Sequence, residues 1–189
     1  MRRTICLTAA ALLAAGPALA HPGHEASGFL HPFTGADHLL AMVGVGLWAA
    51  LLAGRRPAVA VAVPAAFLVM MTIGAAAGFA GMKLPLAEAA ILASVFVIGG
   101  LVIGAVRLPL AWAAAVAGLF AVFHGYAHAL EAPDVGVGRY ILGFLAATAL
   151  LQGVGLGLGW AVRRRVGDLG VRALGGVMLA AGAAVLIAN

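Results

Sequence analysis

The sequence predicts an all-α fold, a polytopic bundle of six transmembrane helices behind a cleaved signal peptide. Three observations carry that expectation. Hydrophobic residues make up 65% of the 189 and charged ones 9%, too few charges to solvate a water-soluble domain of this size. Polar breaks divide the chain into six apolar stretches, at 31–54, 57–80, 85–106, 108–130, 138–162 and 169–188. Each is near the ~20 residues that cross ~30 Å of hydrocarbon as a helix. They are too long, and too little alternating, for barrel strands.

The start of the chain reads as a targeting segment. Arg2 and Arg3 form a positive n-region, residues 4–15 are apolar but too short to span, and Pro17 precedes Ala18-Leu19-Ala20, a small-residue cleavage pattern. The plain alternative is an uncleaved short first helix. Cleavage after Ala20 divides the chain into a signal peptide, 1–20, and a membrane domain, 21–189, whose first residue is His21. The one cysteine, Cys6, leaves with the peptide. A metal site in the mature chain therefore uses His, carboxylate or backbone oxygen.

The loops supply an independent topology. With the mature N-terminus outside, Arg55, Arg56, Arg107, Arg163, Arg164, Arg165 and Arg172 lie in the cytoplasm, and Lys83 and Arg139 lie outside. Seven against two fits the positive-inside rule, and six spans return Asn189 to the outer side. The net charge of +5 is thus a topology signal; no nucleic-acid partner is expected. Pairs of glycines four apart, Gly74/Gly78, Gly100/Gly104 and Gly155/Gly159, read as close helix packing within the bilayer. The run from Gly153 to Gly159 lacks the Lys and Ser/Thr of a phosphate loop. Trp48, Trp112 and Trp160 fall towards cytoplasmic ends, as interfacial anchors do.

Polar residues within spans are costly, so each calls for a reason. They gather in two places: His31-Pro32-Phe33-Thr34-Gly35-Ala36-Asp37-His38, opening the first span, and His124-Gly125-Tyr126-Ala127-His128-Ala129-Leu130-Glu131, closing the fourth. The clean apolar parts, 39–53 and 108–123, are too short to cross alone, so each helix carries part of its cluster below the headgroups. Topology puts both clusters at the outer side. His124, His128 and Glu131 share one stripe by their spacing of four and three. His31 and His38, seven apart, share another if the first helix extends that far. Asp37 is either a ligand or the group that holds a ligating imidazole. Imidazoles and carboxylates without sulfur suit Ni²⁺, Co²⁺ or Zn²⁺. The plain alternative is histidines hydrogen-bonding between helices at a wet rim.

Other residues stand beside this set. His21 and His24, with Glu25, either capture ions at the mouth or belong to a solvated terminus. Glu88 either joins the site or snorkels. Met42, Met70 and Met71 read as core packing in preference to thioether ligands. Thr148 and Gln152 read as hydrogen bonds between helices.

His31-Pro32-x-x-Gly35-x-Asp37-His38 resembles the first-helix signature of the HupE/UreJ proteins, and the segment from Phe123 to Glu131 resembles their second. The chain departs at Ala129, where that family usually has Gly, which bears on local packing. The resemblance implies a bacterial inner-membrane nickel permease, in some members linked to cobalt. It implies a signal peptide and about six spans; with the loop topology above, both mature termini are expected in the periplasm. It also implies metal-transport roles for His31, Asp37, His38, His124, His128 and Glu131. Nickel as the ion comes from the resemblance alone.

The function expected is therefore import of Ni²⁺ or Co²⁺ from periplasm to cytoplasm, through a His/Asp/Glu site between the first and fourth spans. The ion is cargo, no enzyme cofactor is expected, and the chain is not expected to be an enzyme. Its partners are the lipid bilayer, the divalent ion, a homo-oligomer as a possible assembly, and indirectly a nickel- or cobalt-dependent enzyme such as hydrogenase or urease. The competing reading is an intramembrane Zn²⁺ hydrolase of lipid amides, with Ser94 in an oxyanion site; Ser94 falls deeper than the cluster, which counts against it. Bis-histidine haem binding leaves the carboxylates unexplained.

Overall fold

The computed structural model describes residues 28–54, 56–133 and 136–188. The expectations attached to residues 1–20, to His21, His24, Glu25 and Arg55, and to Asn189 lie outside the described residues. Within them the chain is helical, with no strands. One short turn, α1 (His31–Thr34), leads into six long helices: α2 (Ala36–Ala53), α3 (Pro57–Phe79), α4 (Ala87–Ile103), α5 (Leu110–Leu130), α6 (Val137–Val166) and α7 (Asp168–Ala188).

Five of these are long and apolar enough to cross a membrane, against the six spans expected. The sixth, α4, is equally apolar but has 17 residues, about 25 Å of rise. Backbone geometry trims it at both ends. Leu86 (φ 61) precedes its first turn, and Ala105 (φ 49) ends it, both in the left-handed region that L-residues rarely enter. Ala105 occupies the position where such helix ends usually carry Gly: Val106 N–H bonds the Leu101 carbonyl (2.9 Å) and Ala105 N–H the Val102 carbonyl (3.0 Å). The same closure ends α3, with Gly81 at φ 74.

The bundle is built around α2. From Ala41 to Leu51 every residue but Val43 is buried, as befits a helix that is apolar on all sides. It packs chiefly on α6 and touches α3, α4 and α7, while α3 pairs closely with α5 and α4 with α7. Small residues make these approaches possible. Gly74 and Gly125 bring the backbones of α3 and α5 together, facing Val122 and Met71 respectively. Gly46 and Gly155 do the same for α2 and α6, facing Gln152 and Val43. A Cβ on Gly78 would stand 2.6 Å from that of Ala129, so Gly78 makes the room in which Ala129, the departure from the family signature, is seated. The pair Gly100/Gly104 is different. Gly100 faces open space and Gly104 meets only its own chain, so that spacing marks no helix contact among the described residues.

Contacts at the helix ends define two faces. On one, Trp48 Nε1 donates to the Val106 carbonyl (3.0 Å), Asp168 pairs with Arg107 (3.0 Å) and Arg163 (2.7 Å), and Arg172 Nε donates to the Ile103 carbonyl (2.7 Å). Trp48 is fully buried and so is a core residue instead of an interfacial anchor; Trp112 and Trp160 are exposed, as an anchor would be. Arg56, Arg107, Arg163, Arg164, Arg165 and Arg172 belong to this face. The opposite face gathers the start of α2, the ends of α3 and α5 and the start of α6, with Lys83 and Arg139.

Candidate metal centre

The two polar clusters meet on that second face. His31 Nε2 and Glu131 Oε2 are 2.6 Å apart, joining residues a hundred positions distant in sequence. Their side chains are 20% and 51% exposed, so this pair forms the rim. Inward of it the imidazoles follow one another in ring contact. His31 and His128 have centroids 4.9 Å apart, His128 and His38 5.1 Å, and His38 and His124 5.1 Å. His124 and His128 are completely buried. Helices α2 and α5 are not among the closely packed pairs, so the rings bridge the interval between them.

The first cluster departs from a continuous stripe. Gly35 (φ −93, ψ 115) is extended and separates α1 from α2, so His31 and His38 do not share one helix face. The break instead lets them approach His128 from two directions. Gly35 has a second use. A Cβ there would stand 3.1 Å from both Asp37 Oδ1 and His38 Nδ1, so a side chain would crowd the pair those atoms make.

That pair sets the orientation of His38. Asp37 Oδ1 accepts from the His38 backbone N–H (2.7 Å) and lies 2.9 Å from His38 Nδ1. With Nδ1 donating to the carboxylate, the neutral ring presents its lone pair at Nε2. Of the two roles the sequence left open for Asp37, the geometry is that of the group holding the imidazole. His124 repeats the logic with a different acceptor, Nδ1 donating to the Phe120 carbonyl one turn back at 2.9 Å. Among the described residues His128 bonds through neither nitrogen and is held by packing. It stacks on Phe144, with centroids 4.7 Å apart and planes 5° from parallel.

The outcome is a set of buried ring nitrogens without hydrogen-bond partners among the described residues: His38 Nε2, His124 Nε2 and both nitrogens of His128. Buried polar atoms are ordinarily paired, so four in one place need a reason. Histidines that merely tied helices together would pair these atoms with one another or with backbone; among the described residues they have no partner. One set, His31, His128 and Glu131, places a ligand atom of each within 4.8 Å of the others, a spacing that one ion can span.

Three residues of the surroundings were not singled out from the sequence. Phe67 of α3 lies 5.5 Å from His124, Phe144 stacks on His128, and Tyr140 lies 5.9 Å from His31. The Tyr140 hydroxyl is buried without a partner among the described residues. A signal was available: Tyr140, Phe144, Thr148 and Gln152 recur every four residues, one stripe along α6. Glu88 is exposed. Ser94 is buried and its hydroxyl donates to the Ile91 carbonyl of its own helix (2.5 Å), with no hydrogen bond to the imidazoles among the described residues. Nothing in this arrangement favours the hydrolase reading.

Comparison with known proteins covers the whole of this architecture. The family model described as HupE / UreJ protein matches residues 9–185. The chain is 43% identical over 188 residues to Protein HupE of Rhizobium leguminosarum bv. viciae, with 97% of each chain covered. No solved structure matches.

Proposed function

Because the chain belongs to the HupE/UreJ family, we propose that it is a permease carrying Ni²⁺ or Co²⁺ across the bacterial inner membrane from periplasm to cytoplasm. The observation that supports this best is the file of four imidazoles leading from a half-exposed carboxylate to a fully buried ring. An ion arriving at the rim separates His31 from Glu131 and exchanges part of its water for these two groups and His128. It then passes to the Nε2 atoms of His38 and His124. Conduction needs successive sites of moderate strength, and imidazoles about 5 Å apart offer that where a closed cage would trap the ion.

Asp37 plays a second part in this reading. It orients His38, and its charge offsets that of a divalent ion in a poorly solvating interior. In the same reading all six long helices cross the bilayer, α4 being short enough to call for local thinning. The Arg-rich face is cytoplasmic, and both termini of the mature chain are periplasmic. The metal would serve a nickel- or cobalt-dependent enzyme.

Uptake of labelled Ni²⁺ and Co²⁺ into proteoliposomes, with and without a pH gradient, tests the proposal. Saturable uptake that is lost in His38→Ala is expected. Equal accumulation in liposomes with and without the protein, for both ions, would overturn it.

A further inference from the structure

We propose that a second, charge-neutral metal station lies about one helical turn deeper than His38 and His128, built from the thioethers of Met42 and Met71, the hydroxyl of Thr148 and the side-chain amide of Gln152. It rests on the permease reading for the ion that passes through it, and on the geometry alone for its donors.

Thr148 gives the first reason. A hydroxyl inside an apolar helix normally donates to a carbonyl of the preceding turn. Thr34, Thr72 and Ser94 all do so, to His31, Leu68 and Ile91. Thr148 does not. Its Oγ1 points away from its own helix, at Met42 Sδ (3.4 Å) and Met71 Sδ (3.6 Å). Three helices thus direct one oxygen and two sulfurs at a common point, and all three residues are fully buried.

Register gives the second. Met42 stands four residues beyond His38 on α2, and Thr148 four beyond Phe144, which stacks on His128, on α6; both helices run inward from the rim, while α3 runs the other way and sets Met71 against Gly125, beside His124. Four residues are one turn, about 6 Å along the axis on the same face. The station therefore continues the file on α2 and α6, and α3 closes it from a third side.

Gln152 gives the third. It follows Thr148 by one more turn, is 1% exposed, and neither its Nε2 nor its Oε1 has a partner among the described residues. A buried amide left unpaired is as costly as an unpaired imidazole and calls for the same explanation. The donors of this group, two thioethers, a hydroxyl and an amide, are polar or soft, and none carries a charge. Thioether sulfur favours soft ions and holds a divalent first-row ion weakly, which suits a point of transit. When the ion arrives, the Thr148 proton turns aside and its oxygen lone pair faces the metal.

The test uses the full chain, purified in detergent and reconstituted. Met42→Leu/Met71→Leu preserves volume and removes both sulfurs. Silver ion, a soft cation, is the probe for the station, and labelled Ni²⁺ for transport. The double variant is expected to bind one equivalent of Ag⁺ fewer than the parent. Its maximal Ni²⁺ uptake should fall at least tenfold while the half-saturating concentration, set at the outer imidazoles, stays within twofold. Unchanged Ag⁺ stoichiometry would overturn the station, and so would a maximal rate within twofold of the parent. If the parent itself carries no metal, the permease reading falls and the Ag⁺ stoichiometry still decides the station. Should the double variant aggregate, Thr148→Val carries the same test. It is expected to weaken Ag⁺ binding tenfold, and unaltered Ag⁺ affinity would overturn the proposal.

Discussion

Replacing Asp37 by Asn separates the two parts assigned to that carboxylate. The amide oxygen is able to accept the same two bonds, from the His38 backbone N–H and from Nδ1, so the ring can stay where it is. Only the charge is lost. Its worth follows from the geometry. Asp37 Oδ1 is 2.9 Å from Nδ1; the width of the ring and a metal–nitrogen bond of about 2 Å then put an ion on Nε2 about 7 Å from the carboxylate. A −1/+2 pair at about 7 Å is worth about 5 kcal/mol at an effective dielectric of 20. The Asp37 side chain is 27% exposed, and water at that edge screens the interaction to about half. What remains, about 2–3 kcal/mol, predicts a rise in the half-saturating metal concentration of about 30- to 150-fold. The assay is initial uptake of labelled Ni²⁺ into proteoliposomes over a range of external metal. Uptake by Asp37→Asn equal to the parent at low external metal would refute the placement of the ion beside this charge.

Four further outcomes are expected. His38→Ala or His124→Ala should lower uptake at least a hundredfold, because no water stands ready at that depth to replace the lost donor; uptake above a tenth of the parent rate would count against the file. Gly125→Ala, whose new methyl would meet the Met71 backbone, should destabilise the protein by about 1–3 kcal/mol in thermal unfolding, while Gly157→Ala, which faces open space, should change stability by less than about 0.5 kcal/mol. A reporter fused after Asn189 should be active only if it works outside the cytoplasm; activity of a cytoplasm-only reporter would break the six-crossing topology. Ser94→Ala should leave metal uptake within twofold, since among the described residues its hydroxyl serves only the Ile91 carbonyl; lipid-amide hydrolysis by the parent, abolished in this variant, would favour the hydrolase instead.

The glycines show where sequence reasoning stops. Spacing by four marked three pairs as packing surfaces, and two of them, Gly74/Gly78 and Gly155/Gly159, lie against neighbouring helices. Gly100/Gly104 obeys the same spacing and touches no other helix among the described residues. Within the run that ends at Gly159, Gly155 and Gly159 lie against α2, while Gly153 and Gly157 face open space. Periodicity tells which glycines share a stripe; which stripe meets a neighbour depends on how each helix is rotated, and that is set by all the contacts together.

The sequence by itself determined the membrane character, the helical class, the number of long helices and the meeting of the two polar clusters on one face. These follow from local quantities: hydrocarbon thickness fixes the length of an apolar helix, and successive helices that alternate in direction carry the start of α2 and the end of α5 to the same side. Tertiary structure decided the rest. It broke the first cluster at Gly35, made Asp37 the partner of His38, and seated Trp48 in the core. It also brought Met42, Met71 and Thr148, from three helices, to one point. The physical reason is that an interior position in a bundle is defined by the distances between helices, and in an apolar chain nearly every rotation of a helix about its axis buries much the same side chains. Only close packing at small residues selects among those rotations.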